Sequence, residues 1–154
     1  MLADTSVWID HFRHGNTRLR DELEAGEVVT HEFVIGELAC GNLRNRSEIL
    51  GLITSLPSVT TVPHDEVLEL VTRRKLMGRG LGWIDMHLLA ASVVAGIPLF
   101  TLDKRLARFS SRFWRQTEAA RSIANGVLRP NTVLPIPRRL RQHFRSNAVS
   151  RCAT

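Results

Sequence analysis

The sequence predicts an α/β fold with a parallel sheet covered on both faces. Three observations carry this. Short apolar, β-branched runs alternate with amphipathic segments of roughly 10 to 15 residues, the pattern of βαβ units. Residues that cap helices stand at the junctions. The composition, 44% hydrophobic and 23% charged over 154 residues, suits one globular domain and excludes disorder over the whole length.

The elements follow in order. Met1-Leu2-Ala3 is a short apolar lead-in that stops at Asp4-Thr5-Ser6, and Val7, Trp8, Ile9 and Phe12 then recur at helical spacing. Leu19 and Leu23 stripe a second helix, with Gly26 as its stop. Val28-Val29-Thr30 predicts a second strand, and His31 to Gly41 a helix carrying Phe33, Val34, Ile35 and Leu38. Arg44 to Leu56 has Ile49, Leu50, Ile53 and Leu56 on one face and is closed by Pro57. Val59-Thr60-Thr61-Val62 predicts a third strand, followed by a helix striped by Val67, Leu68, Val71 and Leu76. Gly78, Gly80 and Gly82 punctuate a loop before an apolar helix from Trp83 to Ala95, which Gly96 ends. Pro98 to Thr101 predicts a fourth strand, and Asp103 opens a last helix.

Charge divides the chain. The 21 Lys and Arg against 15 Asp and Glu give a net +6. Residues 1–108 hold 12 basic and 14 acidic side chains, net −2, whereas residues 109–154 hold nine arginines and only Glu118, net +8. The sequence thus predicts a domain over 1–108 and a basic, Pro- and Arg-rich extension over 109–154. Helical periodicity returns in the extension only around Trp114 to Ala124, and the expectation is a loosely attached helix followed by a mobile, partly disordered tail. Cys40 and Cys152 match no disulfide framework or ligand spacing, which predicts a reducing, cytoplasmic setting. Early acids exclude a signal peptide pattern, and the longest mostly apolar run, Leu88 to Phe100, is broken by Ser92, Gly96 and Pro98, too short to span a membrane.

Open parallel sheets bind ligands beyond the carboxyl ends of their strands. Four acids fall there: Asp4 after the first strand, Glu37 on the helix after the second, Asp85 in the first turn of the Trp83 helix and Asp103 just after the fourth strand. Each alone reads equally as a cap or turn residue, except Glu37, which falls inside the apolar stripe of its helix. Together they repel one another, and such a cluster persists if a cation neutralises it or some members are protonated. Oxygen-only ligands select Mg²⁺ or Mn²⁺, which polarises a phosphoryl oxygen and acidifies a bound water, so the set predicts metal-assisted hydrolysis of a nucleic-acid backbone.

Other polar residues read more plainly. His11 and His14, one turn apart, predict a solvated face rather than a metal site, and His87, on another face from Asp85, is given no role. Ser6 and Thr101 either orient a carboxylate or serve as caps. Arg73, Arg74, Lys75 and Arg79 form either a solvated face or a phosphate contact.

The blocks Leu2-Ala3-Asp4-Thr5-Ser6-Val7-Trp8-Ile9-Asp10, Val34-Ile35-Gly36-Glu37-Leu38, Gly80-Leu81-Gly82-Trp83-Ile84-Asp85-Met86-His87-Leu88-Leu89-Ala90 and Thr101-Leu102-Asp103-Lys104-Arg105-Leu106 resemble, in this order, the PIN-domain ribonucleases, most closely the VapC-type toxins of bacterial toxin-antitoxin pairs. The resemblance covers residues 1–108. It implies a three-layer α/β/α fold and Mg²⁺-dependent (or Mn²⁺-dependent) endoribonuclease activity on RNA such as tRNA or rRNA. It also implies a small VapB-type antitoxin as inhibitor and a homodimer. It places Asp4 and Asp85 as metal ligands, with Glu37 and Asp103 completing the acidic site. The chain departs from the family at Phe109-Ser110-Ser111-Arg112-Phe113-Trp114, where a short apolar edge segment gives way to the basic extension, from read-through or as an RNA-binding arm.

Two rival readings remain. A phosphoacceptor domain also gathers acids at strand ends, but Pro98 to Thr101 lacks the lysine it needs. A non-catalytic RNA- or protein-binding module would share the fold without the chemistry.

Overall fold

The computed structural model describes residues 1–115. Strand β1 (Leu2–Ala3) runs parallel to β2 (Leu99–Phe100), with Leu2 opposite Leu99 and Ala3 opposite Phe100. Single parallel bridges extend the sheet on the other side, Leu2 to Val29 and Thr30 to Ser58. Backbone bonds knit these segments: Leu2 N donates to Pro98 O at 2.9 Å, Val29 N to Met1 O at 2.8 Å and Val59 N to Thr30 O at 3.0 Å. The central position of β1, between 99–100 and 29–30, is therefore fixed by bonds on both edges.

Among the described residues, seven helices accompany these strands: α1 (Thr5–His14), α2 (Thr17–Ala25), α3 (Glu32–Cys40), α4 (Arg46–Thr54), α5 (His64–Arg73), α6 (Trp83–Ala95) and α7 (Lys104–Trp114). The α/β architecture matches the one expected, and two of the helix stops, Gly26 and Gly96, are the expected glycines. Gly15, Gly26 and Gly96 end α1, α2 and α6 in the left-handed region, where a side chain would be strained. Asn16 starts α2 by accepting Leu19 N at 2.9 Å.

Packing follows from pattern. In α6 seven consecutive residues, Met86 to Ser92, are buried, so its middle is enclosed on every side while its two ends reach the surface. It packs on α5, α7 and β2, while α3 packs on α1 and α4. Trp8, Leu2, Leu19, Leu23, Leu88 and Ile97 are among the largest fully buried side chains.

Three expectations differ from the outcome. The second strand expected over Val28-Val29-Thr30 reduces to single bridges at Val29 and Thr30. The third strand expected over 59–62 reduces to the bridge at Ser58, since only Thr30 offers it a partner there. His11 is buried, not solvated: its ring meets Trp8 and Phe12, and its Nδ1 lies 3.3 Å from Asn16 O. His14 is exposed and pairs with Asp10 at 3.0 Å.

Helix α7 crosses residue 108 and ends at Trp114, burying Leu106, Ser110 and Phe113 along one face. Of the periodicity expected over 114–124, Trp114 falls at the end of α7, and residues 116–124 and the three prolines after them lie outside the described residues. Phe113→Ala is expected to cost about 3 kcal/mol of stability through the cavity it leaves, measured by urea denaturation, and truncation after Arg108 at least as much.

Candidate active site

The carboxylate of Asp4 sits where β1 ends and α1 begins. Its backbone N donates to Phe100 O at 2.9 Å, the last rung between the two strands. Its side chain is buried and takes three donors: Thr5 N on Oδ1 at 2.7 Å, and Ser6 Oγ at 2.6 Å and Thr101 Oγ1 at 2.7 Å on Oδ2. Both hydroxyl protons go to Asp4, so the same oxygens accept from the opposite loop. Leu102 N donates to Ser6 Oγ at 3.1 Å and Asp103 N to Thr101 Oγ1 at 3.0 Å. The 3.4 Å approach of Ser6 Oγ to Thr101 Oγ1 is then a packing contact rather than a bond. Ser6 and Thr101 thus orient the carboxylate and clamp the loop that carries Asp103.

The other acids are set by helix ends. Asp103 caps α7, accepting Arg105 N at 2.7 Å and Leu106 N at 2.9 Å on Oδ1. Asp85 reaches back from the first turn of α6 to accept Gly82 N at 2.7 Å. Burial, opposed by that bond and reinforced by the charges of Asp4 and Asp103, pushes its pKa above the ordinary aspartate value. Asp85 therefore lies within electrostatic reach of both Asp4 and Asp103. Glu37 is exposed, not held in the apolar stripe, because α3 buries Val34 and Leu38 and turns Glu37 outward. The Thr5 hydroxyl, donating to Glu37 Oε2 at 2.5 Å, ties it to the residue beside Asp4. Capping and clustering are not rivals here, since a carboxylate that fills one lone pair on a backbone N–H has others free.

The donor set is all oxygen and mutually repulsive, as a hard divalent cation requires. Among the described residues, no three His, Cys, Asp or Glu side chains stand close enough to enclose an ion.

The PIN domain family profile matches residues 1–111. The chain belongs to the PIN-domain family. Two curated relatives, both named ribonuclease VapC32, come from Mycobacterium tuberculosis strains CDC 1551 / Oshkosh and ATCC 25618 / H37Rv. Each is 48% identical over 107 residues, covering 69% of this chain and 86% of the relative. No solved structure matches the chain.

Several residues near the acids of this PIN domain carried no signal of their own in the sequence. Gly80, at φ +73°, leaves room for Arg105: a Cβ there would lie 2.2 Å from Arg105 Nη1. The loop before Asp85 and the helix after Asp103 are thereby packed together, and Arg105 brings a cation to their junction. The basic run contributes less. Arg73 pairs with Glu69 at 2.5 Å, and Arg74 lies over the Phe113 ring at 5.2 Å.

Beside the acids stands a row of rings. Phe33, His64 and Trp83 each lie 4.7 to 4.8 Å from the buried His87 ring and nearly perpendicular to it, at 80°, 89° and 85°. His64 Nδ1 and His87 Nε2 are 2.8 Å apart, a hydrogen bond that requires at least one ring to be neutral. His31, which caps α3 by accepting Phe33 N on Nδ1 at 3.1 Å, packs its ring against Phe33. His87 does face away from Asp85, as its spacing says, but the face it occupies is the base of this row. That encounter is tertiary, so the sequence alone left it without a role.

Two outcomes test this arrangement. Thr101→Val keeps the shape but removes a donor to Asp4 and the acceptor of Asp103 N, and is expected to cost about 1 to 3 kcal/mol in urea denaturation. Burial holds the pKa values of His11, His31 and His87 below the ordinary histidine value. The unfolded chain therefore binds more protons than the folded one once pH falls to about 6.5. Stability is expected to be full above that pH and to decline below it, read as a lower urea midpoint at pH 5.5 than at pH 7.5.

Proposed function

We propose that this chain is a divalent-metal-dependent endoribonuclease, the toxic member of a type II toxin-antitoxin pair. The observation that supports it most is the hydroxyl-braced Asp4 set among Asp85, Asp103 and Glu37 at the carboxyl end of a parallel sheet, in a PIN domain 48% identical to a named ribonuclease. Asp4 and Asp85 would be the principal ligands of Mg²⁺ or Mn²⁺, with Glu37 and Asp103 completing the site. When bound, the ion supplies a polarised phosphoryl oxygen and a more acidic attacking water.

This chain's own residues do the rest. The Thr5, Ser6 and Thr101 donors hold Asp4 in one rotamer, so no reorganisation is needed when substrate arrives. Thr5 occupies Glu37 Oε2 and leaves Oε1 to accept a proton from water. Arg105, seated on Gly80, supplies a charge to a backbone phosphate. Burial, reinforced by the charges of Asp4 and Asp103, raises the pKa of Asp85, and a bound cation would favour its charged form, which ties metal affinity to pH.

The substrate is cellular RNA, with tRNA and rRNA as candidates, and the partners are a VapB-type antitoxin and a second copy of this chain. No helix among the described residues is long and apolar enough to cross a membrane. The domain is proposed to occupy residues 1–108 with α7 continuing beyond it, and residues 109–154 to be an appended basic extension.

Purified full-length protein is expected to cut total RNA with Mg²⁺ or Mn²⁺ and to stop in excess chelator. Asp4→Asn and Asp85→Asn are each expected to lower the rate by at least about 100-fold. Asp85→Asn is also expected to leave the melting temperature unchanged or raised, because it removes a repelled charge while its amide oxygen still accepts Gly82 N. Cleavage that survives chelation refutes the metal mechanism. RNA binding without cleavage favours the non-catalytic module, the reading to which the unclosed carboxylate set lends weight.

A further inference from the structure

Helix α7 carries its charge on one side. Lys104, Arg105, Arg108, Arg112 and the C-cap Arg115 are all exposed, and at helical spacing they fall on one arc of about 100°, roughly opposite the buried Leu106, Ser110 and Phe113. The helix contains no acid. Neighbours along this stripe, Lys104 and Arg108, Arg108 and Arg112, Arg112 and Arg115, stand three or four positions apart and repel one another. Lys104 and Arg105 also occupy the first turn, where the helix dipole disfavours a cation. Among the described residues none of the five enters an ion pair, whereas Arg20 and Arg73 have carboxylate partners and Arg18 and Arg74 lie over rings. The dipole favours Arg112 and Arg115 at the other end, but nothing in the fold accounts for five cations in one line.

The stripe begins at the acids. Asp103 caps the helix, and Arg105 lies in the notch left by Gly80, on the loop that leads to Gly82 and Asp85. From Lys104 to Arg115 it runs about 16 Å along the helix axis. We propose that the exposed face of α7 is a second RNA site, a track of cations that holds phosphate backbone running away from the acidic site. The proposal rests on the ribonuclease reading for its ligand, but it lies outside the acidic site. Phosphate is the complementary group, because a guanidinium fork matches two phosphate oxygens and a line of phosphodiesters presents a line of negative charge. Phe109, Phe113 and Trp114 fall outside the arc, so the track offers no ring to a base and carries no sequence preference. An anionic lipid surface fits less well, since the apolar side that an amphipathic helix would insert is buried in this domain. Held by charge alone, a DNA duplex binds this face as an RNA duplex does.

The test uses the full-length chain, extension included, in chelator. It is titrated with a short RNA duplex, whose bases are hidden in the stack so that only backbone is offered, and with a DNA duplex of the same sequence, each at several salt concentrations. Both are expected to bind, and more weakly as salt rises. Arg108→Gln/Arg112→Gln is expected to weaken both about tenfold or more and to reduce the log-log salt slope by about 2, one per lost phosphate contact. Arg108→Lys/Arg112→Lys is expected to recover most of the loss. Arg13→Gln/Arg46→Gln removes the same net charge from α1 and α4 and is expected to change binding little. The melting temperature of Arg108→Gln/Arg112→Gln is expected to be unchanged or raised, because repulsion is relieved. With Mg²⁺ and a long RNA, this variant is expected to raise KM while kcat stays close to wild type. Unchanged affinity and slope in Arg108→Gln/Arg112→Gln overturns the track. An equal loss in Arg13→Gln/Arg46→Gln does so too, by assigning the effect to net charge, and binding of anionic vesicles but of neither duplex overturns it in favour of a lipid surface. The two readings fail separately. Metal-dependent cleavage that ignores Arg108 and Arg112 removes the track and leaves the nuclease, whereas stripe-dependent binding without metal-dependent cleavage removes the nuclease and leaves a backbone-binding face.

Discussion

Three donors converge on the carboxylate of Asp4, and much of the site is arranged through them. Ser6 and Thr101 lie 95 positions apart in the chain, yet each spends its proton on Asp4 Oδ2 and its lone pair on the loop leading to Asp103. The charge on Asp4 makes these bonds stronger than neutral ones. One acid therefore joins β1 to β2, starts α1 and fixes the position of Asp103. Thr5 extends the connection to Glu37 on α3.

The same economy governs the helix starts. Asp4 and Asp103 cap α1 and α7, and Asp85 accepts a backbone N–H at the start of α6. A helix N-terminus favours a nearby carboxylate, which offsets part of the repulsion created by bringing acids together. Burial still leaves Asp85 with a raised pKa, so the compensation is incomplete.

This dual use of the acids explains what was legible in the sequence. Capping residues after short apolar runs marked two strand ends, where an open parallel sheet holds its site, so Asp4 and Asp103 emerged from local pattern, and Asp85 from its place in the first turn of the Trp83 helix. Glu37 emerged for the wrong reason: its spacing suggested an apolar stripe, but α3 turns it outward to Thr5. The strand expected at 59–62 shrank to Ser58 because β-branched composition cannot supply a partner. His11, His31, His64 and His87 were misread or passed over for one shared cause. Imidazole is equally at home in water and against aromatic rings, and only the packing of α1, α3, α5 and α6 decides which. Arg105 on Gly80 was hidden in the same way, since the contact joins two segments 25 positions apart.

The strands are two residues long, so the distance from core to site is a single peptide bond. Leu2 and Ala3 are wholly buried, and Asp4 already belongs to the proposed site. Longer sheets separate a scaffold that must stay constant from loops that are free to change. Here no such buffer exists, and the demands of folding and those of the proposed activity fall on the same few positions. The acidic end of this protein is for that reason its least evolvable part, and new substrate preferences would have to arise farther out, among the rings and basic side chains at the rim.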